Sequence, residues 1–318
     1  MIPPAILCVS ANPGMDRRIR LASLAAGDVQ RAKQVESFPG GKAAHVAYAA
    51  KALGARVVWL GFLGGAIGRE CEEGFARLGV NAVRISTAAS TRINYEFIED
   101  SGRITEVLEP GVPPSESEIA QMLDRTKEML AAELRGAALA ISGSLPVGTS
   151  PALYQSLVEI GRGAGSMTFV DTSGEGLREV VSARPAFIKA NRDEAQALLG
   201  KRLRSPRDAC EACRKIIELG AESASITLGA EGLVWVEGAG GAAWRARPPK
   251  LQAVSTVGCG DATLAGFACG FLRGLSGADL LKYATASGAA NCLAAYEGRI
   301  SPADVDSLVS QIEIERLT

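Results

Sequence analysis

An α/β fold built on a mostly parallel sheet is predicted by three features of the sequence. From about Ala43 onward, helical patterns alternate with short β-branched or apolar runs at Arg56 to Leu60, Ala137 to Ile141, Thr168 to Val170, Ala186 to Lys189 and Ser223 to Thr227. Such alternation gives βαβ units, whose strands lie parallel beneath covering helices and whose ligands bind at the strands' carboxyl ends. The composition supports a large core, since 47% of 318 residues are hydrophobic and 22% charged, enough for one large domain or two modest ones. Lastly, two stretches break the rhythm. Arg17 to Phe38 and Thr91 to Gly111 contain partly alternating segments (Ile19 to Leu21, Val29 to Val35, Ile93 to Ile98 and Ile104 to Leu108), and Asp100-Ser101-Gly102 supplies a hairpin turn. They predict a small separate sheet, placed to cover a pocket as a lid.

The remaining composition narrows the function. Lysine plus arginine (34) nearly balances aspartate plus glutamate (35), so no strong field recruits nucleic acid or an anionic membrane. The apolar run from Met1 to Ser10 is too short for a membrane span and lacks a basic leader; it reads as the first core strand. Seven cysteines, odd in number and scattered among apolar residues, read as free thiols of a reducing, cytoplasmic compartment. Cys210 and Cys213 form a C-x-x-C, but they lie in a charged helical pattern from Arg207 to Leu219 with no second pair or histidine beside them to complete a metal site.

The segment richest in chemistry is Gly258-Cys259-Gly260-Asp261, a glycine-containing turn that runs into a helix with Asp261 as its first residue or cap. Glycines let backbone N–H groups converge, and a helix N-terminus adds partial positive charge, so the turn suits a phosphoryl group acquiring negative charge. A plain N-cap would also place an aspartate there. The third glycine of a dinucleotide fingerprint is missing, with Thr263 in its place, and neither Gly41-Lys42 nor Gly200-Lys201 continues into the Ser or Thr of a Walker A loop.

This segment is similar to the G-A-G-D signature of ribokinase-like (PfkB) carbohydrate kinases, and seven further segments agree in order over almost the whole chain. Asn12-Pro-x-x-Asp16 resembles the family's N-P-x-x-D, and Gly40-Gly41-Lys42 its substrate loop. Gly61 to Gly65 and Thr91-Arg92-Ile93-Asn94 look like the G-F-L-G-G and T-R-x-N of its 1-phosphofructokinase and tagatose-6-phosphate kinase branch. Ser142 to Pro146 follows, then Asn191-x-x-Glu194, similar to a motif linked to magnesium, and Thr227-Leu-Gly229-Ala-Glu-Gly232, similar to the nucleotide loop. The resemblance implies a single domain over residues 1–318, a three-layer αβα sandwich with a mostly parallel central sheet and a β lid at about 17–38 and 91–111.

What the resemblance implies chemically is transfer of the γ-phosphoryl group of ATP, with Mg2+, to a hydroxyl of a sugar phosphate; the alternative is a plain sugar or nucleoside acceptor. Asp261 would be the general base, with the turn Gly258, Cys259 and Gly260 forming the anion hole. Asp16 would orient the acceptor by accepting from two sugar hydroxyls, beside Gly40, Gly41 and Asn94. Lys42 and Arg92 would hold its anionic group. Asn191 and Glu194 would orient the metal, through water, or form a capping box, or both. Thr227, Gly229 and Gly232 would line the nucleotide site. Family members often dimerise through the lid, so a homodimer is expected, though no residue here fixes it. One departure matters: where the family has asparagine, this chain has its only histidine, His45, which could hydrogen-bond the sugar or read an anionic group.

Overall fold

The computed structural model describes residues 3–317. In chain order the first half contains β1 (Ala5–Ser10), β2 (Gly14–Leu21), β3 (Gln34–Gly40), α1 (Lys42–Ala52), β4 (Arg56–Gly64), α2 (Gly65–Arg77), β5 (Asn81–Thr87), β6 (Arg92–Glu99), β7 (Ile104–Leu108) and α3 (Glu116–Ala131). The middle follows with β8 (Ala138–Ser142), α4 (Ala152–Gly163), β9 (Thr168–Asp171), α5 (Gly174–Ser182), β10 (Phe187–Asn191), α6 (Arg192–Leu199), α7 (Pro206–Glu218) and β11 (Ala224–Thr227). The last third is β12 (Leu233–Val236), β13 (Ala243–Arg247), α8 (Cys259–Leu272), α9 (Gly277–Leu293), α10 (Pro302–Val309) and β14 (Glu313–Leu317).

Ten strands form one sheet in the order β14-β13-β12-β11-β10-β9-β8-β1-β4-β5. The run from β5 to β11 is parallel and the β12 to β14 edge antiparallel. Both faces are buried, which is why the central strands read as continuous apolar runs instead of alternating ones. Helices α1, α2, α8, α9 and α10 pack on one face and α3 to α7 on the other, giving three layers. Helix α8 is apolar nearly all round and buried from Asp261 to Gly270, as a central helix must be. It lies close to α9 because glycine removes the obstruction: a Cβ at Gly266 would come within 2.8 Å of Ala284 Cα.

The second sheet has the order β3-β2-β6-β7, with β2 and β6 parallel and both outer pairs antiparallel. It occupies the two stretches that broke the sequence rhythm, with two corrections. Val29 is almost fully exposed, and pairing with β2 begins only at Gln34, opposite Arg20; the strand expected at Val29 to Val35 starts late because residues 22–33 have no partner strand to follow. The sheet also reaches back to Gly14, so Asp16 lies within its strand, ahead of the expected start at Arg17. Arg18 is buried between Glu96 and Glu297, an ion cluster that joins this sheet to the chain after α9. Among the described residues, no helix is long and apolar enough to cross a membrane.

Candidate active site

The site is built where the carboxyl ends of the parallel strands meet the smaller sheet. Strand period and register explain one wall. In the parallel pair β2 and β6, Gly14 lies beside Arg92 and Asp16 beside Asn94, so these four residues share a face. Asn94 Nδ2 donates to Asp16 Oδ1 at 2.8 Å, while Asn94 Oδ1 is buried without a partner. Gly14 leaves the room this needs, since a Cβ there would meet Asn94 Nδ2 at 2.9 Å and Arg92 Cγ at 3.3 Å. On the neighbouring strand a Cβ at Gly40 would fall 1.9 Å from Asp16 Cγ. Gly41, at φ +85°, then turns the chain into α1 and brings its N–H within 3.4 Å of Asp16 Oδ2.

Arg92 is aimed by backbone carbonyls: Nη1 donates to Glu109 O at 2.7 Å and Nη2 to Asn12 O at 3.1 Å, and Nε is buried with no partner. Burial draws its pKa down, against the opposing charges of Asp16 and Glu109. It lines a crevice together with Asn12, Pro13, Thr91, Gly111 and Pro113.

The opposite wall is the start of α8. Its cap is Gly258, at φ +80°, and Asp261 is the helix's third residue, so the reading of Asp261 as first residue or N-cap is corrected. The glycine at the cap is required on two grounds: its left-handed backbone, and Glu297 Cβ, 2.9 Å from where a Cβ would stand. Ala262 N–H is the first to bond back, to Gly258 O at 2.9 Å, and Cys259 N–H reaches Thr256 O only at 3.4 Å. The N–H groups of Gly260 and Asp261 therefore have no partner in the helical ladder. Asn291 braces the turn, donating to Val257 O at 2.7 Å and accepting from Gly298 N–H at 2.7 Å. The Cys259 sulfur lies 3.1 Å from that of Cys292 on α9.

Between the two walls stands His45, on the buried face of α1. Its Nε2 lies 2.9 Å from Asp16 Oδ2 and its Nδ1 lies 3.0 Å from Asp261 Oδ2. All three side chains are buried. Burial alone would lower the histidine's pKa, but the hydrogen bonds and charges of the two aspartates outweigh it and hold the value well above 6.5.

Lys42 is not placed beside Arg92 by any contact. Its ammonium donates to Asp171 Oδ1 at 2.9 Å and Glu194 Oε1 at 3.3 Å. Burial disfavours its charge, yet the carboxylates of Asp171, Glu194 and Asp261 push its pKa far upward. Asp171 also accepts from Lys189, and although burial opposes its charge, these two lysines bring its pKa down to about 2. Lys189 in turn lies under the anion turn: a Cβ on Gly260 would come 2.9 Å from its Nζ. The sequence reading does not single out Asp171. The usable signal is a carboxylate ending an apolar parallel strand, Thr168 to Asp171, followed by a lysine inside the next, Phe187 to Asn191.

Asn191 and Glu194 form the expected capping box of α6, with Glu194 N–H donating to Asn191 Oδ1 at 2.9 Å and Asn191 N–H to Glu194 Oε2 at 2.7 Å. Both side chains thus have protein partners, and among the described residues no cluster of three His, Cys, Asp or Glu could hold a metal directly. Thr227 ends β11, and Gly229, at φ +62°, opens a short turn with free space where a Cβ would be. Gly232 is explained by packing, since a Cβ there would fall 1.9 Å from Ala246 O on β13. Cys210 and Cys213 are buried on the core face of α7.

In architecture the chain is a ribokinase-like α/β protein: a putative ribokinase from Agrobacterium tumefaciens superposes with a TM-score of 0.76 over 97% of this chain and 98% of that one, at 18% identity. The model of the pfkB family carbohydrate kinases matches residues 6–303. A 1-phosphofructokinase of Vibrio cholerae is 31% identical over 98% of this chain and 97% of its own length, and a tagatose-6-phosphate kinase of Staphylococcus epidermidis 30% identical over 97% and 99%. The phosphofructokinase-2 of Escherichia coli in complex with fructose-6-phosphate superposes with a TM-score of 0.87 at 25% identity, covering 98% of this chain and 99% of that one. The chain belongs to the pfkB family and is a carbohydrate kinase.

Proposed function

We propose that the protein transfers the γ-phosphoryl group of ATP to a hydroxyl of a hexose phosphate, in the manner of a 1-phosphofructokinase or tagatose-6-phosphate kinase. The observation that carries this reading is the placement of Asp261 directly after an anion-binding turn, bridged by His45 to the wall that bears Asp16, Asn94 and Arg92. A base and the N–H groups that receive charge thus stand together, facing groups fit to hold a polyol and an anion.

Asp261 Oδ1, which has no partner among the described residues, takes the acceptor hydroxyl's proton as the hydroxyl oxygen bonds to the γ-phosphorus and the bond to the β-phosphate oxygen breaks. The N–H groups of Cys259, Gly260 and Asp261 donate to the equatorial oxygens as their charge develops. Asp16 cannot serve two hydroxyls as freely as expected, because it already accepts from His45, Asn94 and, at long range, Gly41. The acceptor is read instead through the remaining position on Asp16 and the unpartnered Asn94 Oδ1. Arg92 holds the substrate's phosphate through the N–H groups its backbone partners leave free. Lys42, held by Asp171 and Glu194 and within the field of Asp261, serves the transferring phosphoryl group.

Magnesium fits only through water, since each oxygen of Glu194 has a protein donor yet keeps one acceptor position toward solvent. Bound there, it would neutralise charge on the nucleotide phosphates. The test is ATP turnover across hexose phosphates and their unphosphorylated sugars with wild type and Asp261→Asn. Phosphorylated acceptors should dominate, and the variant should lose about 10²- to 10⁴-fold in kcat. Near-normal turnover by folded Asp261→Asn would remove the base, and a preference for plain sugars would remove the acceptor class.

A further inference from the structure

We propose that His45 is a positioning residue: a doubly protonated imidazolium that clamps Asp16 to Asp261, so that the acceptor meets the free Oδ1 of Asp261 and never contacts the histidine itself. The inference rests on Asp261 being the base. It departs from the expectation that His45 hydrogen-bonds the sugar, because both ring nitrogens are already taken by carboxylate oxygens, at 2.9 and 3.0 Å.

Donor counting carries the argument. A neutral imidazole has one N–H and one lone pair, so between two ionised carboxylates it would set that lone pair against an oxygen at about hydrogen-bond distance. Only the imidazolium donates to both. Charge counting agrees: with a neutral ring the buried trio would carry two negative charges with no cation bonded to either, and with the imidazolium it carries one. Lys42 lies within the field of Asp261 and Arg92 within that of Asp16, and the segment Glu297 to Arg299 packs through Gly298 on the His45 backbone, but among the described residues no other cation hydrogen-bonds either aspartate. Of the elements packed against α1, strand β1 has no charged residue, β4 has only Arg56 at its exposed start, β8 has none, and Asp261 is the sole charged residue of α8. On β3 the charged residue is Glu36, which accepts from Tyr296. Lys42 precedes His45 on α1 but is engaged by Asp171 and Glu194. Beyond Asp16 lie Arg92, held by two carbonyls, and Glu106 on β7, whose carboxyl is pushed up by burial and then by Asp16.

The clamp has two consequences for the reaction. It fixes which oxygen of Asp261 is available, because Oδ2 is occupied. It also sets a positive charge against the base, whereas asparagine at this position would orient without charge.

Because His45 is the only histidine in the sequence, selective ¹⁵N-histidine labelling gives one pair of ring signals with no assignment step. In the ligand-free protein both nitrogens should remain protonated well above pH 6.5, and in Asp261→Asn the titration should move to lower pH. A ring with one protonated nitrogen at neutral pH, or a free titration near 6.5, would overturn the clamp. In His45→Asn the acid limb of kcat/KM should move to higher pH, since the base then loses the cationic donor to its Oδ2 and faces Asp16 directly. A residue of merely structural importance would lower the plateau without moving that limb, and an unmoved limb overturns the proposal. If His45→Asn fails to fold, the wild-type spectrum decides alone. If Asp261→Asn remains active, the base assignment fails, while the ring signals still report whether the bridge exists.

Discussion

Arg92 is the residue on which the choice between a phosphorylated and a plain sugar rests. Two backbone carbonyls fix its guanidinium plane, and each Nη retains an N–H for a ligand. Arg92→Ala should lower kcat/KM for the sugar phosphate by about 10- to 150-fold, taking about 1.5–3 kcal/mol for a hydrogen bond to a charged group. Binding of ATP should hardly change. Arg92→Lys should recover only part of the loss, because the point charge returns without the planar fork. Since Arg92 also ties β6 to the loop at Asn12 and to Glu109, parallel assays on the unphosphorylated sugar are needed; equal losses on both acceptors would mean that the wall itself had been damaged. At this scale the sequence is legible in position: Asp261 does follow a glycine turn at a helix start, and Gly40 and Gly41 do lie against Asp16. It is silent on who pairs with whom. Lys42 reads as a free cation beside a glycine loop, and only the fold reveals Asp171 and Glu194 waiting for it, at a strand end and a helix start well over a hundred positions away.

Elements decide which of two roles a side chain can play. Glu194 closes the capping box of α6 and also meets Lys42, so its removal confounds helix and metal effects. Glu194→Gln separates them: glutamine keeps the reciprocal cap but not the charge. The helix should persist by circular dichroism while the magnesium concentration for half-maximal activity rises several-fold. An unchanged magnesium curve would leave Glu194 with the cap alone. Gly260→Ala tests the anion turn in the same spirit. A Cβ there would press on Lys189 Nζ, which cannot swing away without leaving Asp171, so kcat should fall by about 10²- to 10³-fold, the loss typical of one misplaced oxyanion donor. Activity within a few-fold of wild type would show that the turn tolerates displacement. The elements themselves are unevenly legible. Buried parallel strands announce themselves as apolar runs, whereas the short edge strands β12, β13 and β14, at Leu233–Val236, Ala243–Arg247 and Glu313–Leu317, carry no distinct period and take their conformation from their neighbours.

For the whole molecule, the buried ionic groups of the site make stability depend on pH from both sides. Asp171 has its carboxyl held at about 2 by Lys189 and Lys42 against the opposing effect of burial, below its ordinary 3.8. Its contribution is therefore complete above 3.8 and lost as pH falls through 2, a change on the order of 2 kcal/mol. His45 acts in the opposite sense. Its folded value is raised above 6.5, so its contribution is complete below 6.5 and lost as pH rises toward the folded value. Glu96, pushed up to about 7 by burial and by Glu297, also loses its contribution on rising pH, between 4.5 and 7. The histidine is therefore best isolated above pH 7. The stability of the ligand-free wild type, followed by its thermal midpoint, should fall as pH rises from 7 toward the folded value, at up to about 1.4 kcal/mol per pH unit for the one proton released. The same interval should be nearly flat in His45→Asn, which has no other histidine to titrate, and its midpoint should be lower than wild type's at pH 6. Parallel slopes in the two proteins would assign the alkaline loss to the thiols, whose pKa values burial raises at Cys8, Cys71 and Cys269, and would deny His45 a stabilising charge in the folded state.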